Sequence, residues 1–300
     1  MLEPPKFLAA RWAAIDAGAR GAILVSVGSF VLVVMALLVK VLAQRVPALE
    51  ILFFRSTIGF LFILPLFARD PLEPLRTKRP GMHLLRGLVG TGGNICFFWT
   101  LTHLLLADAM ALQFSRPLFM IPLAMLFLGE MVGMRRAAIT CAGFAGILIY
   151  ARPFTAGFEP GVFVGAAGAL FGGLVVICIK KLSSTESTRV IMFYYAFWTA
   201  AFSAIPAMFV WVTPSWPDLA MLVVIAIMGM SGQGMITHGF TLGDATALVP
   251  LDYGRLVYSA FFGYFLFGEI PSAWSLAGMA IIVAASLALV LGEIRRRSRR

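Results

Sequence analysis

Residues 113–130 read QFSRPLFMIPLAMLFLGE, and residues 252–269 read DYGRLVYSAFFGYFLFGE. They align without a gap. Phe114 falls on Tyr253, Arg116 on Arg255, Gly129 on Gly268 and Glu130 on Glu269. The offset, from 113 to 252, is close to half of the 300-residue chain, so the sequence reads as two related halves. At the same offset Gly90, Gly93 and Asn94 match Gly229, Gly232 and Gln233, with Gly92 and Gly234 beside them. One residue further in offset, Phe53-Phe54-Arg55 faces Phe193-Tyr194-Tyr195, so Arg55 has a tyrosine for its mate.

Composition sets the solvent. Hydrophobic residues make up 60% of the chain and charged residues 13%, about half the charged share of a soluble domain. Mean hydropathy is +0.93. The apolar runs are long enough to cross roughly 30 Å of hydrocarbon as helices, and the short alternating strands of a membrane barrel are missing. This is expected to be an all-α integral membrane protein. Ten spans are expected, near 21–43, 48–67, 82–104, 107–128, 136–150, 161–179, 189–212, 219–240, 245–267 and 272–291. The domain reading is an N-terminal segment (1–20), a first five-helix repeat (21–150), a linker (151–160), a second repeat (161–291) and a basic tail (292–300). The N-terminal segment mixes Phe7, Leu8 and Trp12 with Lys6, Arg11 and Arg20 and reads as an interfacial helix or a surface tail. The first apolar run is too long for a cleavable signal core.

The net charge of +10 is no nucleic-acid signal, because the cations crowd into alternate connections and the tail. One set of connections, with both termini, holds seventeen Lys and Arg; the other holds Lys40, Arg45 and Arg152. By the positive-inside rule the basic-rich face is cytoplasmic, with both termini on it and the protein in the inner (plasma) membrane. The remaining four, Arg55, Arg86, Arg116 and Arg255, fall inside spans. Five spans per half make the second half enter from the opposite face. The halves are therefore inverted repeats around a central cavity, an arrangement suited to alternating access.

The FLGE and FLFGE ends of spans four and nine, the Glu50…Phe53-Phe54-Arg55 segment and the five-plus-five repeat resemble the drug/metabolite transporter superfamily in its ten-span, EamA-like form. The resemblance covers about 21–291. It implies translocation of a small molecule through a cavity lined by spans three, four, eight and nine. In size and layout the chain is most similar to aromatic amino-acid exporters of the YddG type, which implies export of aromatic or large apolar amino acids.

Charges inside a bilayer cost about 2.5–3.5 kcal/mol each on insertion scales, so they are functional or paired. Arg116 lies roughly 13 Å and Arg255 roughly 15 Å into their spans at 1.5 Å per residue, which puts both near the midplane. A guanidinium offers a carboxylate two parallel hydrogen bonds, and Arg255 is the favoured contact. In the structural alternative, Asp252 neutralises Arg255 one turn away, and Arg116 caps carbonyls freed at Pro117 or Pro122. Gly90–Asn94 and Gly229–Gln233 read as a binding site or hinge, or as close packing. The candidate substrate-binding set is Asn94, Trp99, Gln113, Arg116, Gln233, His238, Asp252, Tyr253 and Arg255. The set for hinge or packing is Gly90, Gly92, Gly93, Gly229, Gly232 and Gly234. Tyr194, Tyr195 and Trp198 are possible lining, whereas Gly161, Gly165, Gly168 and Gly172 read as packing. Glu50, Arg55, Glu130 and Glu269 are structural or gating candidates, with Glu50 paired to Arg55 or Arg45, and Glu130 to Arg135 or Arg136. Asp252, Glu50 and His238 are the groups a proton coupling would use.

No nucleotide-binding, zinc or catalytic motif is present, and Cys96, Cys141 and Cys178 lie too far apart for a metal set or a disulfide. The chain reads as no enzyme and as needing no cofactor. Its partners are a small-molecule substrate, with an amino acid favoured, and the lipid bilayer, not nucleic acid. Within carriers the alternative is a transporter of drugs and organic cations, sugar phosphates or nucleosides; from another class, a membrane enzyme or scaffold.

Overall fold

A computed structural model describes residues 15–297 except 69, 71, 129–132, 153, 154, 156, 157, 183, 243–247, 249 and 250. Every regular element among them is helical. They are α1 (Ala17–Leu42), α2 (Ala48–Ile63), α3 (Pro80–His103), α4 (Leu106–Gln113), α5 (Arg116–Leu128), α6 (Met134–Ala151), α7 (Gly161–Leu182), α8 (Thr188–Phe209), α9 (Trp216–Leu242), α10 (Gly254–Phe267) and α11 (Ala273–Arg297). Helices are what lipid demands, since each backbone N–H and C=O must find its partner within the segment. Seven stretches are long and apolar enough to cross a membrane: α1, α4 with α5, α6, α7, α8, α9 and α11. The other three of the ten spans are α2, lengthened by a 3-10 turn over Leu64–Phe67, α3, which carries His83, Arg86 and Asn94, and α10.

Local chemistry sets several ends. Asp16 caps α1, its carboxylate accepting from the Gly18 and Ala19 amides. Pro80 opens α3, where a missing N–H costs nothing. α1 begins before Gly21, so the expected N-terminal segment is partly helix; its residues 1–14 lie outside the described residues. The fourth span was expected as one helix and is instead broken at Phe114–Ser115. Pro117 has no N–H for the Gln113 carbonyl and disfavours helix at the residue before it. The ninth span is broken at the matching place, Tyr253.

The halves interleave. α1 packs along α9, and α3 packs along α7, the symmetry-related pair. α2 packs on α8, α4 on α10 and α6 on α11, each span against its own repeat mate. That pattern is a pseudo-two-fold axis written in contacts, and it makes the molecule two inverted five-helix repeats around a central cavity. Glycines allow the two long crossings. A methyl on Gly232 would meet the Gly28 carbonyl at 3.1 Å, and one on Gly93 would lie 3.6 Å from the Gly168 carbonyl. Gly90 faces the Tyr195 ring, Gly92 the Phe171 ring, and Gly229 Met35 and Arg55, whereas Gly234 meets open space. Five of the six glycines thus pack α3 and α9 against neighbouring residues, as small residues do in membranes.

Candidate functional site

The site is built on the two broken spans. Phe114 and Tyr253, repeat mates, stack across the axis with ring centroids 4.1 Å apart. Each break is followed by its arginine. Arg116 Nη2 reaches Gln113 Oε1 at 3.4 Å, and Arg255 binds the Asp252 carboxylate at the same three-residue spacing. Geometry is repeated, but chemistry is not. Asp252 also accepts from Ser29 Oγ of α1 at 2.8 Å, and the Arg255 guanidinium lies 5.1 Å over the Phe114 ring. Arg255 is therefore neutralised, as the structural alternative expected. Among the described residues Arg116 has no carboxylate within ion-pair distance, and its side-chain hydrogen-bond partner is the neutral Gln113 amide. Arg116 is exposed while Ser115 and Leu118 on either side are buried, so its guanidinium has open space beside it. Gly172 of α7 makes that room, since a methyl there would sit 2.5 Å from Arg116 Nε.

Tyr195 of α8 forms a second centre. Its hydroxyl accepts from Asn94 Nδ2 at 2.9 Å, and Arg86 of α3 lies over its ring at 4.3 Å. Arg55 lies 5.6 Å from the Phe98 ring. Gln113, Arg116, Asp252, Tyr253 and Arg255 thus gather at the breaks, with Asn94 on Tyr195. Trp99 does not join them: it stacks on His103 at 3.9 Å at the end of α3. Gln233 and His238 stand along α9 with exposed side chains. Glu130 lies outside the described residues.

The basic-poor face is latched. Gly268 ends α10 in the left-handed conformation (φ 63°), which glycine adopts without strain. The Glu269 amide then bonds the Gly263 carbonyl, and the turn carries the Glu269 carboxylate back across the face. It pairs with Lys40 of α1 and accepts from the Leu106 amide at 2.7 Å, which caps α4. Lys40 also donates to the Leu104 carbonyl at 2.7 Å. This is the physical content of the FLFGE motif. Beside it Tyr150 donates to Asp108 at 2.5 Å. Lys40, Asp108 and Tyr150 were missed as candidates, because polar residues near a span end read as ordinary interface anchors. Glu50 pairs with neither Arg55 nor Arg45. Its carboxylate accepts from the Val212 amide at 3.0 Å, and Arg45 lies 3.2 Å from Asp218 instead. Tyr195, only a possible lining residue by sequence, is the hub of the second centre.

An apolar cleft of about 350 Å³ opens between α5, α6 and α7, lined by residues such as Phe119, Phe144 and Phe163. It offers a substrate no polar group. Among the described residues no His, Cys, Asp and Glu group could hold a metal ion, and the three cysteines are unpaired.

Comparison with known proteins agrees with this geometry. Residues 19–152 and 159–291 each match the EamA-like transporter family. An S-adenosylmethionine uptake transporter of Rickettsia felis is 34% identical over 87% of this chain and 89% of its own. A pseudopaline exporter of Pseudomonas aeruginosa is 33% identical over 90% and 95%. A riboflavin transporter of Rhizobium johnstonii is 29% identical over 83% of each chain. One solved crystal structure superposes with a TM-score of 0.58 at 22% identity, covering 93% of this chain and 99% of that one, and shares the fold. The three named relatives carry other substrates than aromatic amino acids. With two matches spanning nearly all of both halves, the chain belongs to the EamA-like transporter family.

Proposed function

We propose that this membrane transporter is a secondary carrier, working by alternating access, for a small metabolite bearing an amino-acid carboxylate. The observation that carries the reading is Arg116: an accessible guanidinium at mid-span that, among the described residues, has no carboxylate in ion-pair contact, beside the stacked Phe114–Tyr253 pair. The substrate carboxylate docks on Arg116, with Gln113 beside it, and an apolar or ring portion packs against the aromatic pair. Aromatic amino acids fit these requirements. S-adenosylmethionine, the named substrate of one relative, combines the same carboxylate with a flat purine. A cation that lacks a carboxylate fits poorly, because Asp252 is already engaged by Arg255 and Ser29. Arg255 then shapes the site rather than binding in it. The Lys40–Glu269 latch closes the basic-poor side, which the cation asymmetry makes the outer side, with both termini cytoplasmic.

The test is exchange of labelled phenylalanine and of labelled S-adenosylmethionine across proteoliposomes holding the purified chain, with riboflavin as a competitor lacking a carboxylate. Saturable exchange of either labelled compound, abolished in Arg116→Gln, is expected. Riboflavin alone competing, or Arg116→Gln exchanging normally, would remove the carboxylate reading. Orientation is checked with a cysteine in the C-terminal tail, which an impermeant reagent should reach only from the cytoplasm.

A further inference from the structure

Four guanidiniums, those of Arg55, Arg86, Arg116 and Arg255, stand inside the spans, and among the described residues one carboxylate, Asp252, pairs with any of them. Asp252 is taken by Arg255. Among the described residues none of the other three has a carboxylate within ion-pair distance. Arg86 is 7% exposed, and its Nε and Nη1 are buried with no hydrogen-bond partner. One side of it is covered by the Tyr195 ring. The hydroxyl of that ring is bound by the Asn94 amide. A cation over a ring recovers only part of what a buried guanidinium loses, and donors this buried are ordinarily bonded. One monocarboxylate on Arg116 leaves two of the three cations unanswered.

We infer that the substrate carries a second acidic group, which binds Arg86 beside Tyr195, apart from the first group on Arg116. The substrate class is then a dianionic amino-acid derivative. The inference rests on the carrier reading above and narrows it. Tyr195 links the parts of this centre: its ring covers one side of Arg86, and its hydroxyl accepts from the Asn94 amide. Arg55 takes the position its repeat mate Tyr195 occupies in the other half, so the exchange of Arg for Tyr gives the cavity a basic wall and an aromatic one.

Three ligands of one shape separate the possibilities: phenylalanine, 4-carboxyphenylalanine, and 4-carbamoylphenylalanine, which is neutral at the ring position. Each competes for exchange in proteoliposomes of the full chain. The carboxy compound is expected to bind about tenfold or more tighter than the carbamoyl compound, as for a hydrogen bond between charged groups. That preference should fall to within about twofold in Arg86→Gln and survive in Arg86→Lys, while Arg116→Gln weakens all three ligands together. The wild-type comparison needs no variant to fold. Equal competition by the carboxy and carbamoyl compounds overturns the second acidic group and leaves the carboxylate carrier standing. Failure of all three to compete overturns the second acidic group, and overturns the carboxylate carrier too when labelled S-adenosylmethionine also fails to exchange.

Discussion

The sharpest prediction concerns Gly172→Ala. The added methyl would lie 2.5 Å from Arg116 Nε, 3.0 Å from Cζ and 3.2 Å from Nη2. Ordinary contacts begin near 3.4 Å, so the guanidinium must move by about 1 Å, and it can, because its stem is flexible. A shift of that size stretches a hydrogen bond of about 2.9 Å beyond useful length. Losing one charge-assisted bond costs about 1.5–3 kcal/mol, or roughly ten- to a hundredfold in affinity. The fold itself should not suffer, since alanine is favoured over glycine in a helix by about 0.5–1 kcal/mol. The assay is exchange affinity in proteoliposomes beside thermal unfolding in detergent. The neighbouring Gly173→Ala is the control: its methyl meets Leu123 Cδ1 at 2.8 Å, so it should lower stability and spare affinity. Unchanged affinity in a stable Gly172→Ala protein would falsify the placement of Arg116 in the binding site.

Gln113→Glu copies the Asp252–Arg255 pair into the first half; it should raise the unfolding temperature and cut exchange affinity about tenfold or more by answering Arg116 internally. Asp252→Asn leaves Arg255 uncompensated, and a thermal scan should show a loss approaching the 3–5 kcal/mol of a broken buried pair, reduced because both side chains are about a fifth exposed. Glu269→Gln can still accept from the Leu106 amide but loses the ion pair with Lys40; a cysteine introduced at Leu104 should become more reactive to an outside reagent, and unaltered reactivity would show that the latch does not hold that face. Gly28→Ala would bring a methyl within 2.8 Å of the Gly232 carbonyl, and the overpacked crossing should cost about 1–3 kcal/mol in thermal stability.

The fold was legible because both of its determinants are one-dimensional. Apolar length gives the spans, and the repeat offset with an odd span count gives their inverted arrangement. What composition could not show was the use of individual residues. The glycines before Asn94 and Gln233 looked like hinge or site signals, yet most of them admit a neighbouring helix or ring. Gly172 looked like packing and instead gives Arg116 its room, because only the fold brings α7 beside the start of α5. Glu50 was given an arginine partner by proximity in sequence, but the chain brings the Val212 amide to it from 162 residues away. The latch at Glu269 joins three spans, so no local pattern could reveal it.

The broken symmetry is itself the functional clue. A perfect inverted repeat would place equal groups on the two sides of the axis, and one ligand on the axis would then see two equivalent arginines. Here the breaks, the aromatic stack and both arginines are kept, and the difference lies in the residue three positions earlier: Gln113 in one half, Asp252 in the other. That single exchange leaves Arg255 paired with a carboxylate and Arg116, among the described residues, without one. On the proposed reading a carboxylate then sits on Arg116, on the side that faces Gly172 of α7. Gln113→Asp combined with Asp252→Gln should therefore move the open cation from Arg116 to Arg255. If binding follows the open cation, the double variant regains exchange that Gln113→Asp alone loses, and Arg255→Gln then abolishes it. If both single variants and the double variant exchange like the parent protein, the carboxylate is held elsewhere and the asymmetry has no part in recognition.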